Sequence, residues 1–480
     1  MSGIGTTAAR DPDRTALVIF GTSVTFGELD YRQRLIAGAL VGGKVREKDR
    51  IAVLSSNRRE VFEIVMGTLR AGIVPVPING LLTGPEIAYI LEDSGARWLF
   101  TDRPMQAPPG VERIVTLGDA YERLLSESEP NRLADFIRGR PMHYTSGTTG
   151  QPKGVWVKPP PVKRAAQSSS AFRRLWAIES GDMHLICSPL AHSAPLRFSM
   201  RTLEGGGTVV LQERFEAEET LAAIALFGTT STFMVPTHLE RILALGRKTL
   251  ARYDLSSIRL LAHAGAPIRE ETKRKVIKLF PQDSVWEFYG STEGQATRIS
   301  TAEWLERPGS VGRALAGAEI LIMDEGGSPM PSGEVGEVWV KDPGAERFEY
   351  WRDKRKTRLA WRQGAFSVGD LGWLDRDGYL FLTGRKHATI ITGGVNVYPQ
   401  EVELVLLQHP AVKEVLVYGV DHDEWGQAVH AAVVPEESSP LDGELLRSWA
   451  RERLAGFKLP RKIEVVDELE RTATGKIKRP

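Results

Sequence analysis

Residues 144–154 read Tyr144-Thr145-Ser146-Gly147-Thr148-Thr149-Gly150-Gln151-Pro152-Lys153-Gly154. From Thr145 onward, this stretch holds four hydroxyl side chains, three glycines and one lysine. Glycines let backbone N–H groups approach an anion closely, the hydroxyls add hydrogen-bond donors, and the lysine adds a mobile positive charge. Pro152 should exclude a regular helix or a central strand. The composition predicts a phosphate-binding loop, and the plainer alternative is a flexible polar linker.

The loop differs from the phosphate loop of the common nucleoside triphosphatases. That pattern needs serine or threonine directly after its Gly-Lys pair, so that the hydroxyl reaches Mg²⁺. Here Gly154 follows Lys153, and the other pairs, Gly43-Lys44 and Gly475-Lys476, precede valine and isoleucine. The sequence also lacks the kinase signatures His-Arg-Asp and Asp-Phe-Gly and a Gly-x-Gly-x-x-Gly that opens a helix. These nucleotide-binding classes are therefore excluded.

Length and composition restrict the remaining classes. A chain of 480 residues is too long for one core, so we expect two or three domains. The net charge of +1 gives no electrostatic reason to expect nucleic acid or an anionic membrane as a partner. The lone cysteine, Cys187, is typical of a reducing, cytoplasmic location. Residues 1–13 contain no apolar segment of a secretory signal, no apolar run predicts a membrane span, and scattered histidines predict no zinc site.

Strand-like and helix-like segments alternate through the first 300 residues. This alternation predicts an α/β fold with a mostly parallel sheet covered by helices. Thr25 and Glu28 predict a capping box at the start of one helix. Residues 103–140 give little strand signal, and three consecutive prolines within residues 158–164 predict an exposed connection. The strands predicted after the loop include residues 185–188, 208–211, 232–235, 259–263 and 285–289.

The character of the sequence changes from about residue 312. Short strands around Gly326-Gly327 predict a small β-rich subdomain that ends near residue 382. Mixed helix and strand patterns resume after Arg385 and continue to the end, over a length usual for a separate small domain. We therefore expect a large N-terminal domain of α/β layers at residues 1–385 and a small α+β C-terminal domain at residues 386–480.

A second stretch, Glu287-Phe288-Tyr289-Gly290-Ser291-Thr292-Glu293-Gly294, follows one of the predicted strands. It offers an aromatic face for a base, a hydroxyl for a phosphate and a carboxylate for Mg²⁺. Together with the loop, it resembles the signature of the acyl-adenylate-forming (AMP-binding) superfamily, which includes acyl-CoA synthetases, aryl-CoA ligases, luciferases and peptide-synthetase adenylation domains. The resemblance assigns Tyr289 to adenine, Thr292 to the α-phosphate and Glu293 to the metal. It further places these residues in the nucleotide site: Thr145, Ser146, Gly147, Thr148, Thr149, Lys153, Glu287 and Gly290.

Three further motifs match the family's residues around the adenine and ribose of the nucleotide. Ala264-Gly265-Ala266-Pro267 follows a predicted strand, and its small residues would form a shelf for adenine; alone, it would be a plain turn. Asp370 follows a turn glycine and would accept both ribose hydroxyl protons. Arg385 matches an arginine that contacts ribose or phosphate. The family's hinge residue, usually Asp or Lys, aligns with His387, which leaves the hinge assignment open and would make domain rotation pH-sensitive.

The catalytic assignments come from the resemblance. His192, in Ser188-Pro189-Leu190-Ala191-His192-Ser193, would border the acyl group; the alternative is an ordinary strand-end histidine. Gly393 and Gly394 match the loop that lets a pantetheine arm pass, or they form a tight turn before a helix. Lys476, in a C-terminal Thr-Gly-Lys, matches the catalytic lysine that bridges the substrate carboxylate and the α-phosphate; its alternative is a surface lysine. The C-terminal domain would be mobile and would rotate between the two half-reactions.

The implied activity is an AMP-forming acid–thiol ligase that uses ATP, Mg²⁺ and coenzyme A. A carboxylate attacks the α-phosphorus of ATP and releases pyrophosphate, and a thiol then displaces AMP. Residues 189–200 contain no acid that could hold a substrate ammonium, and the apolar side chains nearby predict an uncharged aliphatic, alicyclic or aryl acid: Leu196, Phe198, Met200, Phe233 and Met234. Two alternatives are an adenylating enzyme that passes the acyl group to a carrier protein or an amine, and a nucleotide-binding protein without turnover.

Replacing Lys153 should separate the two half-reactions. The loop would hold the β- and γ-phosphates that leave as pyrophosphate, whereas Lys476 would serve the α-phosphate. We therefore expect Lys153→Ala to slow adenylation and to spare thioester formation from supplied acyl-AMP. Single-turnover assays of each step measure this, and an equal loss in both steps would contradict the division of roles.

Overall fold

The computed structural model describes residues 3–19, 21–106, 108–147, 150–344, 346–392, 395–422, 426–437, 439–454, 456–471 and 477–479. The side chains of residues 146, 147, 150, 151, 387, 395 and 396 are outside this description. The chain divides into two compact units. The first comprises Met1–Gln295, Ser300–Leu305 and Ala345–Leu359, and the second comprises Ala296–Ile299, Glu306–Gly344 and Ala360–Pro480.

The helices and strands of the first 295 residues follow each other in this order: α1 (Ile4–Arg10), β1 (Thr15–Ile19), β2 (Thr22–Thr25), α2 (Phe26–Gly42), β3 (Arg50–Leu54), α3 (Arg59–Arg70), β4 (Val74–Ile78), α4 (Gly84–Ser94), β5 (Trp98–Thr101), β6 (Arg113–Thr116), α5 (Asp119–Ser126), β7 (His143–Gly147), β8 (Gly150–Val157), α6 (Val162–Leu175), β9 (Met183–Ile186), α7 (Ser193–Glu204), β10 (Thr208–Leu211), α8 (Ala217–Phe227), β11 (Ser231–Met234), α9 (Pro236–Ala244), α10 (Gly246–Leu250), β12 (Leu260–His263), α11 (Glu270–Leu279) and β13 (Val285–Gly290).

The remaining elements are β14 (Gln295–Ser300), α12 (Thr301–Glu306), β15 (Arg313–Ala314), β16 (Glu319–Met323), β17 (Gly336–Lys341), β18 (Phe348–Tyr350), α13 (Lys354–Ala360), β19 (Trp361–Arg362), β20 (Ala365–Phe366), β21 (Asp370–Leu374), β22 (Leu380–Arg385), β23 (Ile390–Thr392), β24 (Val395–Val397), α14 (Pro399–Leu406), β25 (Val412–His422), β26 (Gly426–Pro435), α15 (Gly443–Arg451) and β27 (Lys462–Val465). Two short 3₁₀ helices occupy Lys386–Ala388 and Gly456–Lys458.

Two parallel sheets form the frame of the first unit. In one, β13, β12, β11, β9, β10 and β1 lie side by side and parallel, with β2 antiparallel at the edge. In the other, the order is β4-β3-β5-β6, and all pairs are parallel. Helices connect the parallel strands, as such connections require. The predicted α/β architecture with mostly parallel sheets is therefore confirmed.

Helices α2 and α3 pack between these two sheets. One hydrophobic cluster includes Leu17 and Val209 of the first sheet, Ile51 and Phe100 of the second, and Phe62 of α3. Eleven of the twelve residues of α3 are buried, so this helix has no solvent-facing side. A helix buried on all sides is typical of a position between layers. At the start of α2, the N-cap half of the predicted capping box is confirmed, because the Thr25 side chain accepts from the Glu28 N–H at 3.2 Å, whereas the reciprocal bond to the Glu28 side chain is not formed.

The predicted phosphate loop is a β-hairpin. Strands β7 and β8 pair antiparallel with a bulge between Thr145 and Gly147, and β18 pairs with the far end of β8. The expectation that Pro152 excludes a central strand is wrong, since β8 lies between β7 and β18. The reason is that β18 begins to pair only at Val155, so Pro152 lies where β8 is still an edge strand and needs no second partner.

The second unit contains two sheets of its own. In one, the order is β19-β20-β17-β21-β22, with β16 on β17, and the pairs are antiparallel. In the other, β24, β23, β26 and β25 pair antiparallel, with β27 parallel to β26. The predicted β-rich character around Gly326-Gly327 is confirmed. The domain boundary between residues 385 and 386 stays a prediction.

The five strands predicted after the loop are confirmed as β9 to β13, each within about two residues. Residues 103–140, which gave little strand signal, contain the short strand β6 and helix α5, and only Val115 of β6 is buried. One other expectation was wrong. Within residues 158–164, Pro159 and Pro160 are buried while their neighbours are exposed, so this connection is only partly on the surface.

Two glycines of the second unit offer a stability test. Gly312 has φ +97°, and a Cβ added there would lie 2.0 Å from the Arg298 carbonyl oxygen. Gly317 has φ +85° but would meet nothing within 4 Å. We expect Gly317→Ala to lower the free energy of unfolding by about 1 kcal/mol, from backbone strain alone. Gly312→Ala should lower it by about 2–4 kcal/mol, because the clash adds to the strain. Urea unfolding followed by fluorescence measures both, and equal losses would contradict the close approach.

Candidate active site

Tyr350 links the two strongest sequence motifs of the first unit. It lies on β18, directly opposite Val155 of β8. The Lys153 ammonium lies 4.7 Å from the centre of its ring, and its hydroxyl donates to Glu293 Oε1 at 2.8 Å. The expected phosphate-binding lysine and metal-binding carboxylate are therefore held by one buried side chain. Sequence reasoning missed Tyr350 because it belongs to no motif, and only its aromatic character in a short strand could have drawn attention.

A half-buried arginine holds the backbone of the second motif. Arg140 Nη1 donates to the carbonyl oxygens of Thr292 at 2.8 Å and Glu293 at 3.1 Å. Burial lowers the pKa of Arg140 to about 10, against the opposing effect of nearby Glu293, so the guanidinium stays charged at neutral pH. The turn closes with a hydrogen bond from Ser291 N–H to the Gly294 carbonyl at 2.8 Å. Thr292 and Glu293 are thus fixed before any ligand binds.

These residues fit a magnesium ion bound together with nucleotide. Mg²⁺ commonly takes only one or two carboxylates from a protein and obtains its other oxygens from phosphates and water. The Glu293 side chain is buried and oriented by Tyr350, and the Thr292 hydroxyl is adjacent to it in sequence. Over the residues described, no group of three or more His, Cys, Asp or Glu could hold a metal by itself. A single carboxylate that shares its ion with phosphate suits this site.

Glu287 is engaged in an ion pair within the protein. Its carboxylate contacts the buried Lys273 ammonium, which lies 4.5 Å from the centre of the Trp304 ring. The neighbouring His263 lies 3.9 Å from the same carboxylate, and burial together with Lys273 lowers its pKa well below the ordinary value. Glu287 thus supports the end of β13 from beneath, and its contact with nucleotide stays a prediction.

The predicted adenine shelf lies at the end of β12. Ala264 is buried, whereas Gly265, Ala266 and Pro267 are exposed. Gly265 has φ +93°, which favours glycine, and an added Cβ would approach no atom closer than 3.7 Å. At the end of β13, Tyr289 is half-buried, and a Cβ at Gly290 would lie 2.8 Å from Gln295 Cα. The turn after Tyr289 therefore requires glycine.

His192 lies at the N-cap of α7, on a loop held by two residues that sequence reasoning missed. Asn57 donates to the Ser188 carbonyl at 3.0 Å and accepts from the Leu190 N–H at 2.8 Å. His143 Nδ1 lies 3.0 Å from the Ala191 carbonyl oxygen, and burial lowers the pKa of His143 to about 3. Both partners are distant in sequence, and no motif indicates them. They fix the loop before His192 at the carboxyl end of β9.

The apolar residues assigned to the acyl group are buried within hydrophobic cores. They belong to three separate clusters: Leu196 and Met200 to the first, Phe198 and Phe233 to the second, and Met234 to the third. The Phe198 and Phe233 rings stack on each other with centroids 6.0 Å apart. These side chains take part in packing, and the expectation of an uncharged acid stays a prediction.

The predicted ribose residues lie in the second unit. Asp370 and Arg385 face each other across strands β21 and β22, and Arg385 Nε donates to Asp370 Oδ1 at 2.9 Å. The turn glycine before Asp370, Gly369, has φ +82°. The pair fixes the position of one carboxylate oxygen. Its contact with ribose stays a prediction.

Several predicted residues lie outside the described part of the chain. These are Thr148, Thr149, Gly393, Gly394 and Lys476, together with the side chains of Ser146 and His387. Thr145 and Gly147 lie on β7. The roles predicted for this set stay predictions.

The chain is similar to known proteins over nearly its whole length. The family described as AMP-binding enzyme matches residues 5–348, and the AMP-binding enzyme C-terminal domain matches residues 401–476. A feruloyl-CoA synthase from an Amycolatopsis species is 33% identical over 98% of this chain and 95% of its own. A fatty acid–[acyl-carrier-protein] ligase from Streptomyces coeruleorubidus is 32% identical over 98% and 93%.

The chain is also similar to solved structures over nearly its whole length. The o-succinylbenzoate-CoA synthetase of Bacillus subtilis in complex with its acyl-adenylate intermediate has a TM-score of 0.87 and 31% identity, covering 99% of this chain and 97% of that chain. The same enzyme was also solved with ATP and a magnesium ion. Of the helices described in the present chain, none is both long and apolar enough to cross a membrane.

Replacing Tyr350 with phenylalanine keeps a ring near Lys153 and removes the hydroxyl that orients Glu293. We expect the affinity for Mg²⁺ in the presence of ATP to fall about tenfold, because a group that orients a metal-binding carboxylate contributes about this much. Calorimetric ATP binding over a Mg²⁺ titration measures the change. Tyr31→Phe is the control, since Tyr31 is 53% exposed. If the Mg²⁺ dependence of Tyr350→Phe matched the wild type, Tyr350 would have no positioning role.

Proposed function

The chain belongs to the AMP-binding enzyme family, and from this premise we propose that it activates a carboxylic acid with ATP and transfers the acyl group to coenzyme A. Activation forms acyl-AMP and pyrophosphate, and the thiol then displaces AMP. The observation that carries this proposal is the contact of Tyr350 with both Lys153 and Glu293. It joins a phosphate-binding group to a metal-binding group in one place. The relatives that act as CoA ligases support the same reaction.

In the first half-reaction, an oxygen of the substrate carboxylate bonds to the α-phosphorus, and the bond to the bridging oxygen of the β-phosphate breaks. The chain places the reactants and neutralises charge, because phosphoryl chemistry needs little covalent help. Lys153 and the loop hydroxyls hold the departing phosphates. Thr292 donates to the α-phosphate, and Arg140 keeps its backbone in place. Mg²⁺ held by Glu293 supplies positive charge to the phosphate oxygens when it is bound.

In the second half-reaction, the thiolate sulfur bonds to the acyl carbon, and AMP leaves with the bonding electron pair. Gly393, Gly394 and Lys476 would act at the change from the first half-reaction to the second. Lys476 would serve adenylation and then withdraw, and the segment that contains Gly393 and Gly394 would bring in the thiol arm. Asp370 and Arg385 would hold the ribose during both halves. Support comes from the match of the family's C-terminal domain to residues 401–476.

The identity of the molecule that accepts the acyl group is also a proposal. The feruloyl-CoA synthase favours coenzyme A, whereas the fatty acid–[acyl-carrier-protein] ligase favours a carrier protein, and their identities to this chain, 33% and 32%, are nearly equal. We retain coenzyme A as the main candidate and a carrier protein or an amine as the alternative. A cytoplasmic location and the lack of a nucleic-acid partner stay predictions.

A panel of carboxylic acids tests the proposal. We expect acid-dependent exchange between ATP and labelled pyrophosphate, which reports adenylation alone. Thioester formation is then measured with coenzyme A, with a carrier protein bearing its pantetheine arm, and with neither. A product with the carrier protein only would favour the alternative. Nucleotide binding without exchange for any acid would contradict the enzymatic function.

A further inference from the structure

The C-terminal end of α4 contacts both strands that carry the nucleotide-binding groups. Asp93, in the last turn of α4, accepts a hydrogen bond from the Tyr144 hydroxyl of β7 through Oδ2 at 2.6 Å. Its backbone carbonyl accepts from the indole N–H of Trp351, the residue after β18, at 3.0 Å. These partners lie 51 and 258 residues away in the sequence. One residue of α4 therefore joins the β7–β8 hairpin to the strand that carries Tyr350.

The contact with Trp351 satisfies the end of the helix. The last carbonyl groups of a helix have no partner within it. In α4, Trp351 donates to the Asp93 carbonyl, and Arg50 Nε donates to the Ser94 carbonyl at 2.8 Å. The Arg50 guanidinium also lies 4.6 Å from the centre of the Trp351 ring, and a positive charge is favourable at a helix C-terminus. Trp351 is thus held through its N–H and through its ring.

The contact with Tyr144 fixes the hairpin. Tyr144 pairs with Gly154 of β8, and a Cβ added at Gly154 would lie 3.0 Å from Tyr144 Cζ, so the ring packs against the glycine backbone. Burial and the bond to Asp93 raise the pKa of Tyr144 above its ordinary value, so the hydroxyl keeps its proton and donates at neutral pH. The Trp351 backbone N–H donates to the Gly154 carbonyl at 2.8 Å. Gly154 is therefore held from two sides, and both sides lead back to Asp93.

These contacts lie one residue away from the groups expected to bind MgATP. Lys153 directly precedes Gly154, and Tyr350 directly precedes Trp351. The Lys153 ammonium lies 4.7 Å from the centre of the Tyr350 ring, and Tyr350 donates to Glu293. The spacing between Lys153 and Tyr350 thus depends on two backbone positions that Asp93 connects.

We propose that Asp93 is a positioning residue for MgATP, which sets the distance between the Lys153 ammonium and Tyr350 so that Lys153 and Glu293 engage the triphosphate and its Mg²⁺ together. This inference rests on the proposed function, which gives Lys153 and Glu293 these roles. Asp93 acts through the backbone of the hairpin and of the residue after β18. Its loss should weaken binding of MgATP and should spare both the binding of the acid and thioester formation from supplied acyl-AMP.

Variants of Asp93 and Tyr144 test this inference. Asp93→Leu removes the acceptor oxygens, and we expect the Kd for MgATP, measured by calorimetry, to rise about tenfold, as for other residues that orient a binding group. Tyr144→Phe removes the same bond from the other side and should match it. Asp93→Asn keeps an acceptor oxygen and should restore most of the affinity. Glu92→Leu, an exposed acid next to Asp93 on α4, should leave the Kd unchanged.

A double variant separates positioning from a merely structural role. If Asp93 acts by placing Lys153, it has nothing to place in Lys153→Ala. The Kd for MgATP of Asp93→Leu/Lys153→Ala should then agree with that of Lys153→Ala within about twofold, because effects that share one route are not additive. Multiplied losses would overturn the inference. If Asp93→Leu does not fold, Tyr144→Phe, alone and combined with Lys153→Ala, decides the question in the same way.

The remaining outcomes also decide. A lower thermal unfolding temperature of Asp93→Leu and Tyr144→Phe with an unchanged Kd for MgATP overturns the inference, because the bond would then serve stability alone. So does an equal rise in the KM for the acid that gives the fastest ATP–pyrophosphate exchange, or an equal loss of thioester formation from acyl-AMP. Calorimetric binding needs no turnover. Absence of exchange with every acid would therefore contradict the proposed function separately from the test of Asp93.

Discussion

The hydrogen bond from the Tyr350 hydroxyl to Glu293 is the interaction on which the site depends. Strand β18 pairs with β8 and places Tyr350 opposite Val155, and the tyrosine contacts Lys153 through its ring and Glu293 through its hydroxyl. The ring attracts the ammonium electrostatically, and the hydroxyl fixes the carboxylate without neutralising it. One side chain thereby contacts both the positive and the negative group.

Other charged side chains of the chain are stabilised in different ways. Lys273 and Glu287 form a closed ion pair beneath β13, which gives rigidity but leaves little for a ligand. Arg140 donates to two backbone carbonyls and so holds the Thr292–Glu293 turn without pairing with a carboxylate there.

Much of the fold could be predicted from the sequence because its signals are local. Alternating strand and helix patterns predicted the parallel sheets, and the strand at residues 208–211 was predicted to the residue. The N-cap at Thr25 was also correct, since capping depends on residues three positions apart. The errors have an equally local cause. Strand β6 has only one buried residue and therefore little hydrophobic pattern, and the strand around Pro152 is possible only because β18 joins further along.

The site could be predicted only in part, for a related reason. Motifs indicated the groups that are predicted to bind nucleotide, because those groups lie within a few residues of each other. The residues that position them come from far away in the sequence: Tyr350 is 57 residues from Glu293, and Arg140 is 152 residues from Thr292. Asn57, which holds the loop before His192, is 131 residues from Ser188. Such pairs can be identified only from the folded chain.

The residues near His192 show why the choice of substrate was hard to predict from the sequence. Apolar residues near His192 predicted an uncharged acid. The sequence alone, however, cannot distinguish a side chain that lines a site from one that fills a core. The structure makes this distinction by burial: Leu196 and Met200 pack into a core, while Arg197, between them in sequence, is only half-buried. In a helix, residues one position apart point about 100° from each other, so one turn of α7 contributes both to the core and to a more accessible side.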